Sequence, residues 1–482
     1  MSNPSVQGSL TGSAKLRAVT DLVDKLAHDL QAVSLLPPQR DAALEELKIY
    51  GRDPRNADPI FTEKGIKTLA RHAFDSPSAT TSRNALRVLC NAMLLEPKAR
   101  QIFAKLGYEA KACSKLKNDS RDDEFLAARV IFLTTYGTSI DLPGLIEQHH
   151  LADILIENLR RHAKQSSAGT SKANGKDKVD PMAEMALSET LRLLFNITKF
   201  CSDHVELFTP AVAPITTLLS NHEIQSNAPL SPPFGPLVNA LMNLKLDSKN
   251  AHTSLFPKSE PGSIIERLVQ LLDQALKSYP DGELELHVTP LVCVISSLHE
   301  HAPDDIRKSI RTSLLPTEED RKTVLGKGDS LASRLLQNST NPVAPELRKA
   351  ISHLLFEMSD KDASTFIENV GYGFASGFLF QNNIPLPEAA APSASDERKP
   401  INPVTGQFLD EEKFADMPEM TDEEKEREAE KLFVLFERLK KNGLISVQNP
   451  VERAVQEGRF EELPDDYEED DEQTEGKPAV KK

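Results

Sequence analysis

A polar pair recurs through otherwise apolar stretches of the chain. Arg87 and Asn91 stand in residues 86–94, Arg192 and Asn196 in 191–198, and Asn239 and Asn243 in 237–244. In each case the two positions are four apart, which puts them on one face of a helix. Asparagine is a poor helix former, and its amide costs free energy in a core unless it is paired. Three copies at one relative position suggest a ladder of amides along a surface; the plainer alternative is three buried asparagines that cap neighbouring loops. Arginines nearby extend the set. Arg71 lies in an apolar segment at 62–75, and Arg129 precedes Val130-Ile131-Phe132-Leu133 much as Arg87 precedes Val88-Leu89. Amides offer a donor and an acceptor to a backbone, and guanidinium forks fit carboxylates. The chemistry on offer is recognition of a polypeptide.

Bond-making chemistry has no comparable support. There is no GxSxG and no HExxH. His149-His150 and His299-Glu300-His301 are the densest histidine sites, and nothing nearby completes a metal site. Paired acids such as Asp304-Asp305 and Glu318-Glu319 suit helix starts. The glycine-rich run at 369–379 has no GK[ST] and no preceding strand, so a phosphate loop fails on context; the glycines are expected to let the chain pack closely on the final repeat. The expectation is no catalytic residue, no metal and no cofactor.

The elements that would carry the ladder are helices. Apolar segments of 10–18 residues follow one another, among them 62–75, 80–95 and 203–220, punctuated by Pro, Gly, Asn and Asp; Pro37-Pro38 is expected to stop the first helix and 279–282 to form a turn, and there is no sustained alternation of period two. Leucine and alanine supply the core, and there is no Trp. A chain of 482 residues is too long for one compact core. Helix pairs or triplets recurring at roughly forty residues indicate an armadillo or HEAT solenoid. The fold class expected is therefore all-α, an armadillo/HEAT-like right-handed solenoid over 1–380 with a C-terminal extension carrying an extra helix. A polar low-complexity insert, about 164–180, is expected to be disordered, and 381–420 reads as a linker. Thr421 and Glu424 form a capping box that opens a helix running to Asn442-Gly443. Leu432, Leu435, Phe436 and Leu439 make its apolar stripe, with Phe433 on the flank, so it must pack on the body or on a partner. Residues 444–482 read as an acidic, mostly disordered tail.

Charge and cysteines narrow the partner class. The net charge of −16 argues against nucleic acid or an anionic membrane as the main partner. The last 32 residues hold twelve acids and five bases, which leaves the body only mildly acidic. The four cysteines form no CxxC pair, as in a reducing compartment. No apolar run reaches the roughly 18 residues needed to span a bilayer. A cytoplasmic monomer without direct membrane insertion is expected.

Several of these stretches together resemble the synembryn family, in a form of fungal type. Residues 86–95, Glu-Thr-Leu-Arg-Leu-Leu-Phe-Asn-Ile-Thr-Lys at 189–199, 237–247 and 369–379 are similar to its successive segments. The strongest match is C-terminal: Ile401-Asn402-Pro403-Val404-Thr405-Gly406, then residues 417–432 and Phe436-Glu437-Arg438-Leu439. The resemblance covers about 85–450. It implies an armadillo/HEAT-like protein that acts on heterotrimeric G-protein α subunits, folding them as a chaperone and promoting GDP release without catalysis. The α subunit, GDP-bound or nucleotide-free, would be the partner, and the G protein would recruit the chain to the plasma membrane. By position, Arg71, Arg87, Asn91, Arg129, Arg192, Asn196, Asn239 and Asn243 would line a groove for the α subunit's C-terminal helix. The helix at 421–443 would reach the nucleotide domain, using Leu432, Phe433, Phe436 and Leu439. Family members often carry an acidic, phosphorylated segment before the Asn-Pro turn; here Ser393, with Asp396 three residues on, is the sole phosphosite candidate. An armadillo adaptor for other peptides or helices is the alternative, although a lysine-reading groove of that kind would use tryptophans, which the chain lacks.

Overall fold

The computed structural model describes residues 10–170, 180–385 and 399–413, together with 431, 433 and 434. Its described elements are almost entirely helical, with one isolated β-bridge between Ile401 and Phe408. In chain order the helices begin with α1 (Gly12–Ala32), α2 (Pro37–Tyr50), α3 (Asp58–Phe61), α4 (Glu63–Phe74), α5 (Ala79–Leu95), α6 (Pro97–Leu106) and α7 (Glu109–Lys115). There follow α8 (Arg121–Thr134), α9 (Leu142–Glu147), α10 (Leu151–Thr170), α11 (Pro181–Phe200), α12 (Val212–Asn221), α13 (Phe234–Met242) and α14 (Lys249–Leu255). The last are α15 (Ser263–Ser278), α16 (Asp281–His301), α17 (Asp304–Leu314), α18 (Leu331–Asn338), α19 (Pro345–Met358), α20 (Ala363–Val370) and α21 (Tyr372–Gln381).

Two compact units divide the chain. The first comprises Met1–Arg321 and Leu325–Asp362. Within it, α2, α5, α8, α11, α13, α16 and α19 form one row, each packed on the next. A second layer includes the runs α1–α4–α6 and α10–α12–α15, and joins the row through α4 on α5, α10 on α11, α12 on α13 and α15 on α16. This is an all-α solenoid, in which each helix buries its apolar stripe against sequence neighbours. The row helices are the most buried. In α8, Leu126, Ala127, Ala128, Val130 and Ile131 are all at or below 1 % exposure, which leaves only one stripe for solvent.

Local sequence explains where helices of both layers start. Thr62, Ser78 and Ser120 accept the N–H of Gly65, Thr81 and Asp123 respectively, which caps α4, α5 and α8. Several expected boundaries move. Pro37-Pro38 opens α2 rather than stopping α1, because proline at N1 costs no intrahelical bond; α1 ends instead at Val33 in the left-handed conformation. The expected turn at 279–282 holds the first residues of α16, with Pro280 as N-cap. The expected helix at 203–220 divides into a 3-10 stretch, Ser202–Ala211, and α12. The first residues of the insert expected at about 164–180 belong to α10, which continues to Thr170. Gln165 accepts from Arg121, and Ser167 accepts from Asn221 Nδ2, which anchors this last turn. Residues 171–179 lie outside the described residues.

The second unit contains Lys322–Val324 and Ala363–Lys482. In this unit α20 and α21 pack on each other, and α21 bonds to the Asn-Pro turn. Tyr372 N donates to Pro403 O at 2.8 Å and Gly373 N to Val404 O at 3.1 Å. Gly371 has φ +81°, and a Cβ there would meet Gly406 N and Thr405 C at 2.9 Å. The two glycine-bearing motifs of the sequence are therefore halves of one latch: the glycines admit the 402–406 turn rather than the final repeat. Glu412 Oε1 accepts from Asn402 Nδ2 and Thr405 Oγ1, and the side chain of Gln407, 2 % exposed, bonds both N and O of Lys413, which closes the latch on itself.

Candidate partner-binding face

The row helices run parallel, because low numbers pair with low and high with high. Arg83 Nε donates to Asp123 Oδ1 at 2.9 Å, Arg129 Nη1 to Glu189 Oε1 at 2.8 Å, and Asn196 Nδ2 to Thr135 Oγ1 at 2.8 Å. Arg87 Nη2 reaches Asp122 Oδ1 at 2.7 Å, at the acidic N-terminus of α8 where the macrodipole favours negative charge. Asn243 Nδ2 donates to Phe195 O at 3.1 Å and ties the end of α13 to α11. The recurring polar positions thus fall on consecutive helices of one row, α5, α8, α11 and α13.

Their environments differ. Asn196 is 3 % exposed and its amide is committed to Thr135, so it braces α11 against α8 and does not face a partner as expected. Arg71 departs from the set differently: it sits on α4, in the second layer, beside Tyr108. Asn91 and Asn239 are half-buried with no hydrogen bond among the described residues, and their amides are available. Arg87 and Arg129 are half-buried and ion-paired; Arg192 is exposed and shares Glu189 Oε1, also at 2.8 Å.

Between the polar groups lies an apolar set that the recurring motif does not reveal. On α8 the solvent-facing stripe is Asp122, Phe125, Arg129 and Phe132, continued by Tyr136 at the helical spacing of three to four. Phe132 and Tyr136 stack edge-on at 5.3 Å between centroids. Arg129 lies over the Phe125 ring at 5.8 Å, and Lys199 over Phe195 at 5.9 Å. Leu94, Tyr136 and Met242 are 48 %, 43 % and 40 % exposed. Counting in threes and fours from Arg129 and Arg192 would have found Phe125, Phe132 and Phe195; the acid Glu189, three before Arg192, would have appeared as the same helix's buried counter-charge. The face as a whole is apolar with spaced cations and amides.

Burial raises the pKa of all four cysteine thiols, which keeps them protonated at neutral pH. Burial pushes the Cys90 thiol up to about 12 and Cys113 up to about 11, as for small apolar side chains. Among the described residues no group of three His, Cys, Asp or Glu could hold a metal, and no helix is long and apolar enough to cross a membrane.

Comparison with known proteins settles the family. A family model described as guanine nucleotide exchange factor synembryn matches residues 43–459. The chain belongs to the synembryn family. Synembryn relatives span most of it. The synembryn-like chaperone of Schizosaccharomyces pombe is 27 % identical over 458 residues, covering 90 % of this chain and 78 % of that one. The chaperone Ric-8A of Xenopus tropicalis is 26 % identical over 489 residues, covering 91 % and 86 %, and that of Gallus gallus 27 % over 474, covering 88 % and 84 %. Of the synembryn C-terminal features, Phe433 is described as helical and 42 % exposed. Leu432, Phe436, Leu439, the capping box at Thr421 and Ser393 lie outside the described residues.

Proposed function

We propose that this synembryn-family chain is an exchange factor and folding chaperone for heterotrimeric G-protein α subunits, acting by binding alone. The face made by α5, α8, α11 and α13 takes the α subunit's C-terminal helix. Phe125, Phe132, Tyr136, Phe195 and Met242 receive its apolar side, and Arg87, Asn91, Arg129, Arg192, Asn239 and Asn243 its polar groups. The segment 421–443, through Leu432, Phe433, Phe436 and Leu439, makes the second hold. The observation that carries the reading is the unbroken solvent-facing stripe of aromatics and cations on parallel neighbouring helices.

The mechanism is differential binding. Gripping the terminal helix favours an α subunit whose own contacts to that helix are open. A binder that prefers the open state lowers GDP affinity by its preference, and GTP entry reverses the cycle. The same hold shields a nascent α subunit whose terminal helix has not yet docked. The protein works in the cytoplasm as a monomer and meets the membrane only through the G protein. The test is GDP release from purified α subunits. The chain should accelerate it, and deletion of 421–441 should reduce the acceleration. No acceleration with any α subunit, together with no recovery of folded α subunit on co-expression, would refute the proposal.

A further inference from the structure

The buried carboxylate of Glu189 decides how the two arginines beside it behave. Glu189 is 2 % exposed, and its Oε1 accepts from both Arg129 Nη1 and Arg192 Nη1 at 2.8 Å. Its Oε2 is buried and has no hydrogen-bond partner among the described residues. One cation suffices to neutralise a buried carboxylate, and two are present, so the triad carries a net positive charge. The two cations are not equivalent. Arg129 is half-buried and lies over the Phe125 ring, whereas the Arg192 side chain is 45 % exposed. Arg192 can leave without abandoning Glu189, and the planar fork of Arg129 can then take Oε2 as well as Oε1.

We propose that Glu189 is a positioning residue that holds Arg192 for exchange: a carboxylate on the partner helix takes Arg192, and Arg129 closes on Glu189 with both donors. This rests on the reading above that a partner helix lies on this face, and it names the anchoring group by its chemistry. The carboxylate comes from the partner's chain terminus or from an Asp or Glu side chain. The orphaned Oε2 gives the exchange its reason, since it lets Arg129 make good the bond that Arg192 gives up. The neighbouring pair Arg87–Asp122 differs: among the described residues only Arg87 is within ion-pair distance of Asp122, and the nearby Arg83 is paired with Asp123, so that pair is not suited to such an exchange.

The test uses the full chain and a fluorescent peptide of an α subunit's C-terminal helix, read by anisotropy. Three forms are compared: free acid, C-terminal amide, and free acid with its Asp and Glu replaced by Asn and Gln. Arg192→Ala should weaken the free-acid peptide about tenfold or more, as expected for a charge-assisted bond. The form that lacks the engaged carboxylate should bind the natural chain equally weakly and be indifferent to Arg192→Ala, which separates the terminal from the side-chain source. Glu189→Gln removes the internal competitor, and should tighten the acid-bearing peptide while leaving the form without that acid unchanged. A merely structural Glu189 would weaken all three forms alike. If Glu189→Gln does not fold, Arg192→Ala with the three peptides still decides. Affinities indifferent to Arg192→Ala, or shifted equally in every form by Glu189→Gln, overturn the exchange and leave the proposed function standing. Failure of every form to bind the natural chain overturns the proposed function and the exchange with it.

Discussion

Replacing Gly371 by alanine should open the latch between α21 and the Asn-Pro turn while leaving the first unit intact. Two costs combine. At φ +81° an L side chain is strained by about 1–2 kcal/mol. The new Cβ would also stand 2.9 Å from Gly406 N and Thr405 C, backbone atoms that must move. Moving them puts at risk the bonds Tyr372 N to Pro403 O and Gly373 N to Val404 O, each worth about 0.5–1.5 kcal/mol. The sum is about 2–5 kcal/mol, and at 1.4 kcal/mol per decade it corresponds to local opening roughly 30-fold to several thousand-fold more frequent. Hydrogen–deuterium exchange measures this directly. Amides of 371–376 and 402–407 should lose protection by at least about tenfold, and those of α11, in the first unit, should not change. Gly371→Asn tolerates positive φ better but keeps the Cβ contact, so it should recover only part of the protection. Unchanged exchange in both segments would refute the reasoning about the latch. Equal loss in α11 would refute its confinement to the second unit.

Other outcomes test the rest of the structure. His299 is pushed down to about 4 by burial and by Arg311 and Arg307, and Arg311 Nε donates to its neutral Nε2 at 3.3 Å. The unfolded chain takes up that proton near pH 6.5, so stability should be level above that pH and fall as pH drops from about 6.5 to about 4. Urea midpoints across the window should show the fall, and His299→Gln should flatten it. Asn196→Ala removes a buried brace and should cost about 1–3 kcal/mol in denaturant midpoint while leaving the affinity for an α-subunit peptide within about twofold. Phe103→Ala empties a fully buried site beside Phe74 and Tyr108 and should cost about 3–5 kcal/mol by the same measurement. Arg87→Glu with Arg192→Glu should weaken the peptide about tenfold or more by fluorescence anisotropy.

The helices were legible because their apolar spacing and caps are local facts. Residues 62–75 and 80–95 match α4 and α5 within a residue or so, and Thr62 and Ser78 sit where a cap is needed. The boundaries that moved depend on choices that local pattern does not make. Pro37 can end one helix or begin the next, and Asp281-Gly282 can turn or start α16. The candidate face was half legible. Recurrence found Arg87, Asn91 and Arg192, but recurrence says nothing of burial, so Asn196 and Asn91 looked alike until Thr135 was placed beside one of them. Arg71 shared a residue type with the set but belongs to the other layer, which only packing can decide. The latch was invisible for another reason: its two halves are about thirty residues apart, and neither pattern names its mate.

That latch also sets a leash. Lys413, held through both backbone atoms by Gln407, stands eight positions before Thr421. The seven residues 414–420 span at most about 24 Å when fully stretched. Those residues therefore cannot carry Thr421 farther than that from Lys413, which keeps the second hold of the proposed grip near the latch by covalent length alone. Inserted residues would lengthen that reach without touching one contact of the latch, whereas loosening the latch would move the point from which the reach is measured.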